Sequence, residues 1–364
     1  MILLPSFNVG GAEKSLCILA NLLVRRGWYV SIGVMNDQGR LRKMLDSRVI
    51  VIELGSGRLR SALLPLIKTL FRTKPKFVLS SIYATALLML VAKIFTFKNY
   101  YSIVGIHNDI EAKIQRPDNK KDAKFLDLSI KMLIRFSDAC IGVSTGATKS
   151  FQERYSLSKK DCFVAYNPIT EISENTLYNL PPLPNKKKIL SVGRLVPQKN
   201  FETLIEAFTI VLKIHADATL TIVGGGPLSE ELIALTTKLN VNNSVYFEGF
   251  SDNPMHYYQS SDVFVMSSSW EGFGNTVVEA LACGLPVISS NCRFGPSEIL
   301  CDGQFGVLVE PDNKDALASA LIEHLNDPQS KLSDRAALID RARKFSFNSS
   351  VQRYLDIFDE IQAR

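Results

Sequence analysis

Short apolar runs alternate with longer stretches of helical periodicity along most of the chain. In the first half, β-branched and aromatic residues concentrate in short runs, which are typical of buried parallel strands. These predicted strands occupy residues 2–4, 29–34, 49–52, 77–80, 101–104 and 139–143. The stretches between them carry apolar residues at helical spacing, beginning with an amphipathic helix over residues 12–25 that ends at Gly27. A strand–helix series of this kind predicts a parallel sheet.

The alternation breaks once, in a polar and proline-rich segment over residues 167–188. It then restarts, with strands predicted at residues 189–192, 219–223, 245–247, 263–266, 287–288 and 307–309 and helices at 316–325, 331–344 and 350–362. We therefore predict an α/β protein of two Rossmann-like domains, residues 1–168 and 188–347, joined by a linker over 169–187. Ligands of such sheets bind outside the carboxyl ends of the strands, so we expect the site in a cleft between the domains.

Residues 263–289 concentrate the candidate chemistry of the second domain. After a predicted buried strand, Gly272 and Gly274 lie in a loop that leads into a helix. Glycines there let main-chain amides approach a ligand at the helix start, where unpaired N–H groups and the helix dipole favour an anion. Glu271 in the loop and Glu279 inside the helix would suit a hydroxylated ligand with a phosphate tail. The alternative interpretation is a capping Glu271 and a solvated Glu279.

A basic loop follows the first predicted strand of the second domain. It opens with Gly193 and contains Arg194 and Lys199 before the next helix. Arginine can grip two phosphate oxygens at once, and lysine adds a point charge. In the equivalent loop of the first domain, Gly10 and Gly11 precede a helix and suit close approach by a phosphate. The plainer alternatives are a solvated basic loop and a tight glycine turn.

Two further candidates depend on the strands that precede them. His107 comes just after a predicted strand on the expected cleft side of the first domain, whereas the other histidines have no such placement. A lone histidine is often structural, so His107 is a candidate by position only. Glu298 follows the strand after the central helix and is expected near the same cleft. Residues 224–226 are predicted to form a turn beside a helix start.

Composition limits the kind of function. Hydrophobic residues make up 46% and charged residues 21% of the 364 positions, which indicates a soluble globular protein. The net charge of +6 suits an anionic ligand or an acidic membrane surface and is too diffuse to indicate nucleic acid. Six scattered cysteines predict reduced thiols in a cytosolic protein, no signal peptide is expected, and the most apolar run, 84–97, is too short to span a bilayer.

Several chemical signatures are absent from the sequence. It contains no phosphate-binding P-loop, no serine-hydrolase elbow and no cluster of metal-ligating residues at the usual spacings. We therefore expect no metal ion and no cofactor. A departing diphosphate would then be balanced by basic side chains and helix amides.

Three segments, in this order, resemble the retaining glycosyltransferases of family 4, which have the GT-B fold. They are Gly-Gly-Ala-Glu at residues 10–13, Gly-Arg-x-x-x-x-Lys at 193–199, and Glu-x7-Glu at 271–279 followed by Ala-Cys-Gly-Leu-Pro at 282–286. The resemblance covers nearly the whole chain. The segment 292–299 is similar to the branch of this family that builds bacterial surface polysaccharides, lipopolysaccharides and lipid-linked glycans.

The resemblance implies a role for each candidate residue. Glu279 would hold the ribose hydroxyls of a sugar nucleotide, and Glu271 the transferred sugar and its phosphate. The catalytic residues that it implies are His107, Arg194, Lys199 and Glu271, with Glu298 as a further candidate. The donor-binding residues that it implies are Gly10, Gly11, Gly193, Arg194, Lys199, Glu271, Gly272, Phe273, Gly274, Asn275, Thr276 and Glu279.

The resemblance also implies an architecture and a reaction. The sheets of the two domains would face a central cleft, the second domain would bind a nucleotide-sugar donor such as a UDP-hexose or UDP-N-acetylhexosamine, and the first the acceptor. The last helix, 348–364, would pack back on the first domain. Transfer would occur on the front face of the sugar with retention and without a metal, the leaving phosphate accepting the proton of the acceptor.

Two basic and apolar stretches of the predicted acceptor domain, 58–74 and 113–135, would suit a polyprenyl-diphosphate acceptor on the inner face of the cytoplasmic membrane. The alternative is ordinary helices with solvated basic faces. Other functions also fit this architecture: a sugar-nucleotide epimerase or a phosphorylase, or a non-catalytic partner subunit that binds a sugar nucleotide.

Overall fold

The computed structural model describes residues 1–8, 10–55, 59–80, 83–96, 100–107, 111, 120–169, 187–327 and 334–364. The chain divides into two compact units, one formed by Met1–Pro168 with Phe347–Arg364 and the other by Ile169–Ser346. Each unit contains a parallel sheet with a buried apolar core of its own. Most of the predicted linker, 169–187, lies outside the described residues.

The first unit is built on a sheet of seven strands within the described residues. They are β1 (Ile2–Ser6), β2 (Ser31–Asn36), β3 (Ile50–Glu53), β4 (Phe77–Ser80), β5 (Tyr101–Ile106), β6 (Ala139–Gly142) and β7 (Cys162–Val164). Their order is β3-β2-β1-β4-β5-β6-β7, and neighbours pair in parallel. The helices that accompany them are α1 (Gly11–Arg25), α2 (Leu59–Thr73), α3 (Tyr83–Phe95), α4 (Lys120–Leu133) and α5 (Thr145–Arg154).

The second unit repeats this plan with six strands among its described residues. They are β8 (Lys188–Val192), β9 (Thr219–Val223), β10 (Val245–Gly249), β11 (Val263–Met266), β12 (Val287–Ser290) and β13 (Val307–Val309). Their order is β10-β9-β8-β11-β12-β13, again parallel. The helices are α6 (Phe201–Leu212), α7 (Ser229–Lys238), α8 (Met255–Gln259), α9 (Asn275–Ala282), α10 (Pro296–Leu300), α11 (Lys314–Asn326) and α12 (Arg335–Arg343).

The last helix, α13 (Phe347–Gln362), belongs to the first unit. It is amphipathic, and its apolar face joins the core of that unit. The ring of Phe358 stacks on Phe77 with 4.5 Å between centroids and lies 5.5 Å from the ring of Trp28. Aromatic burial of this kind makes the helix an integral layer of the first unit.

In both sheets the strand order reverses direction at one point. This switch lies between β1 and β4 in the first unit and between β8 and β11 in the second. Open α/β sheets bind ligands in the crevice that such a reversal opens beyond the carboxyl ends of the strands. The loops after β8 and β11 carry the basic loop and Glu271, so the topology brings those two segments side by side. The predicted class, α/β with two Rossmann-like parallel sheets, is confirmed.

Some elements differ from the prediction. The edge strand β7 was not predicted, since it has three residues and only the side chain of Phe163 is fully buried. In the apolar run 84–97, residues 84–95 belong to the helix α3, which ends at Phe95. In the part of the chain that the structure describes, every helix is too short or too polar to cross a membrane.

Candidate functional site

The basic loop after β8 is held in shape by the glycine turn after β9. The N–H of Gly193 donates to the carbonyl oxygen of Val223 at 3.0 Å, and the N–H of Leu195 donates to that of Gly225, also at 3.0 Å. Gly224 has a φ of +148°, and a Cβ there would lie 1.8 Å from the carbonyl oxygen of Gly193. Only glycine allows this contact, so the predicted turn is a support for the basic loop.

The two cations of this loop have different surroundings. Arg194 is exposed, and its side chain has no hydrogen-bond or ion-pair partner among the described residues. Lys199 ends a short 3-10 turn, Pro197–Lys199, and its side chain is only 17% exposed because its Nζ forms an ion pair with Oε1 of Glu271. The interpretation as a solvated loop therefore holds for Arg194 and is wrong for Lys199.

Glu271 is a buried and fully engaged carboxylate. Its residue is 6% exposed, and besides Lys199 it accepts hydrogen bonds from Oγ of Ser268 at 2.8 Å and from Nε2 of Gln198 at 3.4 Å. The same Nε2 donates to the carbonyl oxygen of Trp270 at 2.9 Å, which fixes Gln198 against the loop. A buried carboxylate persists only with such compensation. The interpretation of Glu271 as a helix cap is wrong.

The start of α9 is shaped by glycines and left without a side-chain cap. Gly274 is the N-cap residue, with a φ of +103°. A Cβ on Gly295, whose φ is +94°, would lie 1.7 Å from the carbonyl oxygen of Phe273, so glycine at position 295 lets the two loops pack backbone to backbone. Thr276 Oγ1 is buried and has no hydrogen-bond partner among the described residues. A helix start without a side-chain cap is the kind of position that favours an anionic ligand.

Glu279 lies on the first turns of α9 and is half-buried. Its Oε2 accepts a hydrogen bond of 2.8 Å from the hydroxyl group of Tyr258, a residue of the short helix α8. The interpretation of Glu279 as a solvated acid is therefore wrong. Tyr258 was not among the predicted site residues, and no sequence signal could have identified it, because it meets Glu279 only through the packing of α8 on α9.

Two residues after β12 complete this region. Cys292 is buried close to Glu271, and burial together with that negative charge raises the pKa of its thiol, which stays protonated. Glu298 is half-buried in the first turn of α10. The guanidinium group of Arg341 holds this short helix by donating to the carbonyl oxygens of Glu298 and, at 2.7 Å, of Ile299.

The first unit contains the remaining candidates. Gly10 is the N-cap of α1 and has no side-chain cap, but a Cβ on it would lie 2.1 Å from Oε2 of Glu13. The carboxylate of Glu13 therefore covers the helix start where Gly10 and Gly11 are predicted to receive a phosphate. His107 follows β5, and its Nδ1 is buried without a hydrogen-bond partner in the described part of the chain. Burial lowers the pKa of His107 to about 4, so its ring is neutral at pH 7.

The structure thus joins Lys199 and Glu271, with Ser268 and Gln198, in one network of the second unit. Arg194 lies on the same loop as Lys199, and the loop of Glu271 leads into α9, which carries Glu279. Across the described ranges, no group of three or more His, Cys, Asp or Glu side chains is arranged to hold a metal ion. Chemically, the network can bind a polar ligand that carries both hydroxyl groups and a multiply charged anion.

Two family models match the chain. The model described as Glycosyltransferase Family 4 matches residues 9–171, and the model described as Glycosyl transferases group 1 matches residues 178–345. Together they cover most of both units and leave out α13.

The chain spans 59% and 28% of the length of two curated relatives that it matches. The N-acetylgalactosamine-N,N'-diacetylbacillosaminyl-diphospho-undecaprenol 4-alpha-N-acetylgalactosaminyltransferase of Campylobacter jejuni is 34% identical over 224 residues, which are 61% of this chain and 59% of that protein. The poly(glycerol-phosphate) alpha-glucosyltransferase of Bacillus subtilis is 28% identical over 194 residues, 53% of this chain and 28% of that protein.

The solved structures support the fold. The crystal structure of Anabaena HepE in complex with UDP and glucose superposes with a TM-score of 0.82 and 19% identity, covering 98% of both chains. The apo form of the lipopolysaccharide outer core galactosyltransferase WaaB gives a TM-score of 0.73 with 19% identity, covering 99% of both chains.

Proposed function

Because this chain belongs to the family 4 glycosyltransferases and has the GT-B fold, we propose that it transfers a sugar from a nucleotide diphosphate sugar to a polyprenyl-diphosphate-linked or glycan acceptor. The donor is a UDP-hexose or UDP-N-acetylhexosamine, and the product belongs to a bacterial surface polysaccharide or lipopolysaccharide. The relatives support this proposal, since the Campylobacter enzyme acts on a diphospho-undecaprenol acceptor. The single observation that carries it is the buried pair of Lys199 and Glu271 beside the uncapped start of α9.

Each part of the site takes one part of the donor. Exposed Arg194 and the N–H groups of α9 bind the diphosphate, which needs donors that carry positive charge. Lys199 holds Glu271 in place for the transferred sugar and contributes its charge to the diphosphate. Glu279 accepts hydrogen bonds from the ribose hydroxyls. The role that the family resemblance implies for His107, in the first unit, stays a prediction.

The proposed reaction retains the configuration at the anomeric carbon. The acceptor oxygen bonds to that carbon on the face from which the diphosphate leaves, and the bond between the carbon and the phosphate oxygen breaks. The proton of the acceptor hydroxyl passes to the leaving diphosphate, so no side chain needs to act as the base. Arg194, Lys199 and the amides of α9 balance the charge of the diphosphate, and we propose that no metal ion takes part.

Donor binding tests the site. We would screen UDP-, GDP- and ADP-sugars by thermal shift and measure the affinity of the best one by calorimetry. Arg194→Ala should weaken it by roughly 10- to 100-fold, as expected for a lost charge-assisted bond to phosphate. Lys213→Ala, which removes an exposed cation at the end of α6, is the matched control and should leave the donor affinity unchanged. Equal affinity in wild type and Arg194→Ala would refute the assignment.

Transfer assays on polyprenyl-diphosphate-linked acceptors test the reaction. NMR of the product should show the anomeric configuration of the donor, and an inverted product would refute retention. Activity that EDTA abolishes and manganese restores would refute the metal-independent mechanism. Donor conversion without any acceptor would indicate an epimerase, and donor binding without turnover on any acceptor would indicate a partner subunit.

We further propose that the first unit contacts an anionic bilayer on the cytoplasmic side through the solvent face of α4. Phe125, Leu128 and Met132 recur at helical spacing and are 72%, 57% and 58% exposed. On the same helix, Lys124 and Lys131 flank this apolar stripe on one side. An exposed apolar stripe beside a line of cations matches the interface of an anionic bilayer, and a water-facing helix gains nothing from such a stripe.

The helix α2 adds exposed Leu64, Lys68, Phe71 and Arg72 on one face and contains no acidic residue. Residues 58 and 113–119 of the two predicted basic stretches lie outside the described residues. The test is co-sedimentation with vesicles of phosphatidylglycerol and phosphatidylethanolamine at low salt. Wild type should pellet and Phe125→Ser/Leu128→Ser should not, while the control Tyr29→Ser, at another exposed aromatic residue of the same unit, should pellet like wild type. A wild type that stays in the supernatant would refute membrane contact.

A further inference from the structure

Tyr258 has the largest fully buried side chain of the described residues, and its hydroxyl group contacts Glu279 of the candidate site. It is 1% exposed, and its ring centroid lies 5.6 Å from that of Phe264 on β11. Its hydroxyl group donates to Oε2 of Glu279 at 2.8 Å. Apolar packing therefore fixes the ring, and the ring fixes the position of the hydroxyl.

The direction of this hydrogen bond is determined by its environment. Burial, and then the adjacent charge of Glu279, raise the pKa of Tyr258 well above its ordinary value, so the phenol keeps its proton at neutral pH and donates it to the carboxylate. A carboxylate held by a rigid donor loses rotamer freedom before a ligand arrives, which lowers the entropic cost of binding.

We propose that Tyr258 is a positioning residue that aims the carboxylate of Glu279 at the ribose of the donor. The inference rests on the proposed function, because it takes Glu279 as the ribose ligand. Tyr258 lies outside the loops of the site, on the helix α8, which packs against α9.

The neighbouring residue provides a matched control. Tyr257 also donates its hydroxyl to a glutamate, Oε2 of Glu248 at 3.0 Å, but this pair is exposed on the surface. Tyr257→Phe and Tyr258→Phe thus remove the same group, from the same helix, with a glutamate as the partner in both. Each variant keeps the ring, so the packing of the helix is preserved.

The experiment measures the affinity of the nucleoside diphosphate that binds wild type most tightly among UDP, GDP and ADP. Tyr258→Phe should weaken it by about 5- to 30-fold, the size expected when one hydrogen bond to a charged group is lost, and Tyr257→Phe should leave it unchanged. With the 2',3'-dideoxy form of the same nucleotide, Tyr258→Phe and wild type should bind equally, because the hydroxyls that Glu279 holds are absent. A merely structural role would weaken both nucleotides alike.

Two results would overturn the inference and one would overturn its premise. Unchanged affinity in Tyr258→Phe, or an equal loss for the ribose and dideoxyribose nucleotides, shows that Tyr258 does not position Glu279. In the background of Glu279→Gln, Tyr258→Phe should also reduce the nucleotide affinity much less than it does in wild type, as required for two residues that act through one contact. If wild type binds none of the three nucleotides, the proposed function fails instead.

Discussion

Replacing Lys199 by Met removes the cation that faces the buried carboxylate of Glu271. In the folded protein the side chains of this pair are 17% and 8% exposed, respectively. Breaking a buried ion pair by removing one partner costs about 3–5 kcal/mol, because the other charge stays buried without compensation. Ser268 and Gln198 still donate to Glu271, which places the expected loss at the lower end, about 3 kcal/mol.

The reverse change should cost less. Glu271→Gln leaves Lys199 without its carboxylate, but a long flexible ammonium side chain that already reaches solvent can hydrate itself. We expect a loss of about 1 kcal/mol. The double variant Lys199→Met/Glu271→Gln removes both charges and should be more stable than Lys199→Met alone, with a coupling energy of about 2 kcal/mol.

Thermal unfolding of the ligand-free protein measures these differences without any contribution from the donor. The Tm of a unit of this size falls by about 2–4 °C for each kcal/mol of stability lost, so Lys199→Met should lower Tm by roughly 6–12 °C. The control Lys213→Met, at an exposed cation of the same unit, should have a Tm within about 1 °C of wild type. A Lys199→Met protein as stable as wild type, or a double variant whose loss equals the sum of the single losses, would refute the reasoning.

Two further predictions concern the first unit. Burial lowers the pKa of His107 from 6.5 to about 4. The imidazole of the unfolded chain therefore binds a proton below about pH 6.5, whereas that of the folded protein binds one only below about pH 4. Between pH 7 and pH 4, the free energy of unfolding measured with urea should therefore fall by up to about 3 kcal/mol more in wild type than in His107→Gln. An equal fall in the two proteins would contradict this prediction. Phe358→Ala should destabilise the unit by about 3–5 kcal/mol and shift the emission of Trp28 to the red, while exposed Asp359→Ala should do neither; an unshifted emission would show that α13 does not cover this core.

The sequence predicts the fold well where burial leaves a continuous apolar run. Strand β11 is buried at all four positions, and its run of valine, phenylalanine and methionine can be recognised without a structure. Strand β7 lies at the edge of its sheet with one fully buried side chain, Phe163, so neither an apolar run nor a clear alternation identifies it. The strand orders follow from neither pattern, because they depend on which strands pair across the chain.

The residues of the site are recognisable one by one, but their partners are not. Glu271 and Lys199 were predicted as separate ligands of a donor, and the structure shows that they first bind each other. Their contact spans 72 residues of sequence and exists because β8 and β11 are neighbours at the switch in strand order. The role of Tyr258 and the position of Glu13 over Gly10 depend equally on packing that no local spacing records. The assignment of the donor-binding residues stays a prediction.

The place of α13 has a consequence for biosynthesis. The second unit is one continuous segment, Ile169–Ser346, but the first unit needs residues from both ends of the chain. A ribosome that adds about 5–20 residues per second spends on the order of 10–40 s on the intervening segment. During that time the aromatic surface around Phe77 is uncovered. The amino-terminal unit therefore cannot complete its apolar core until α13 has been synthesised, after the whole of the second unit.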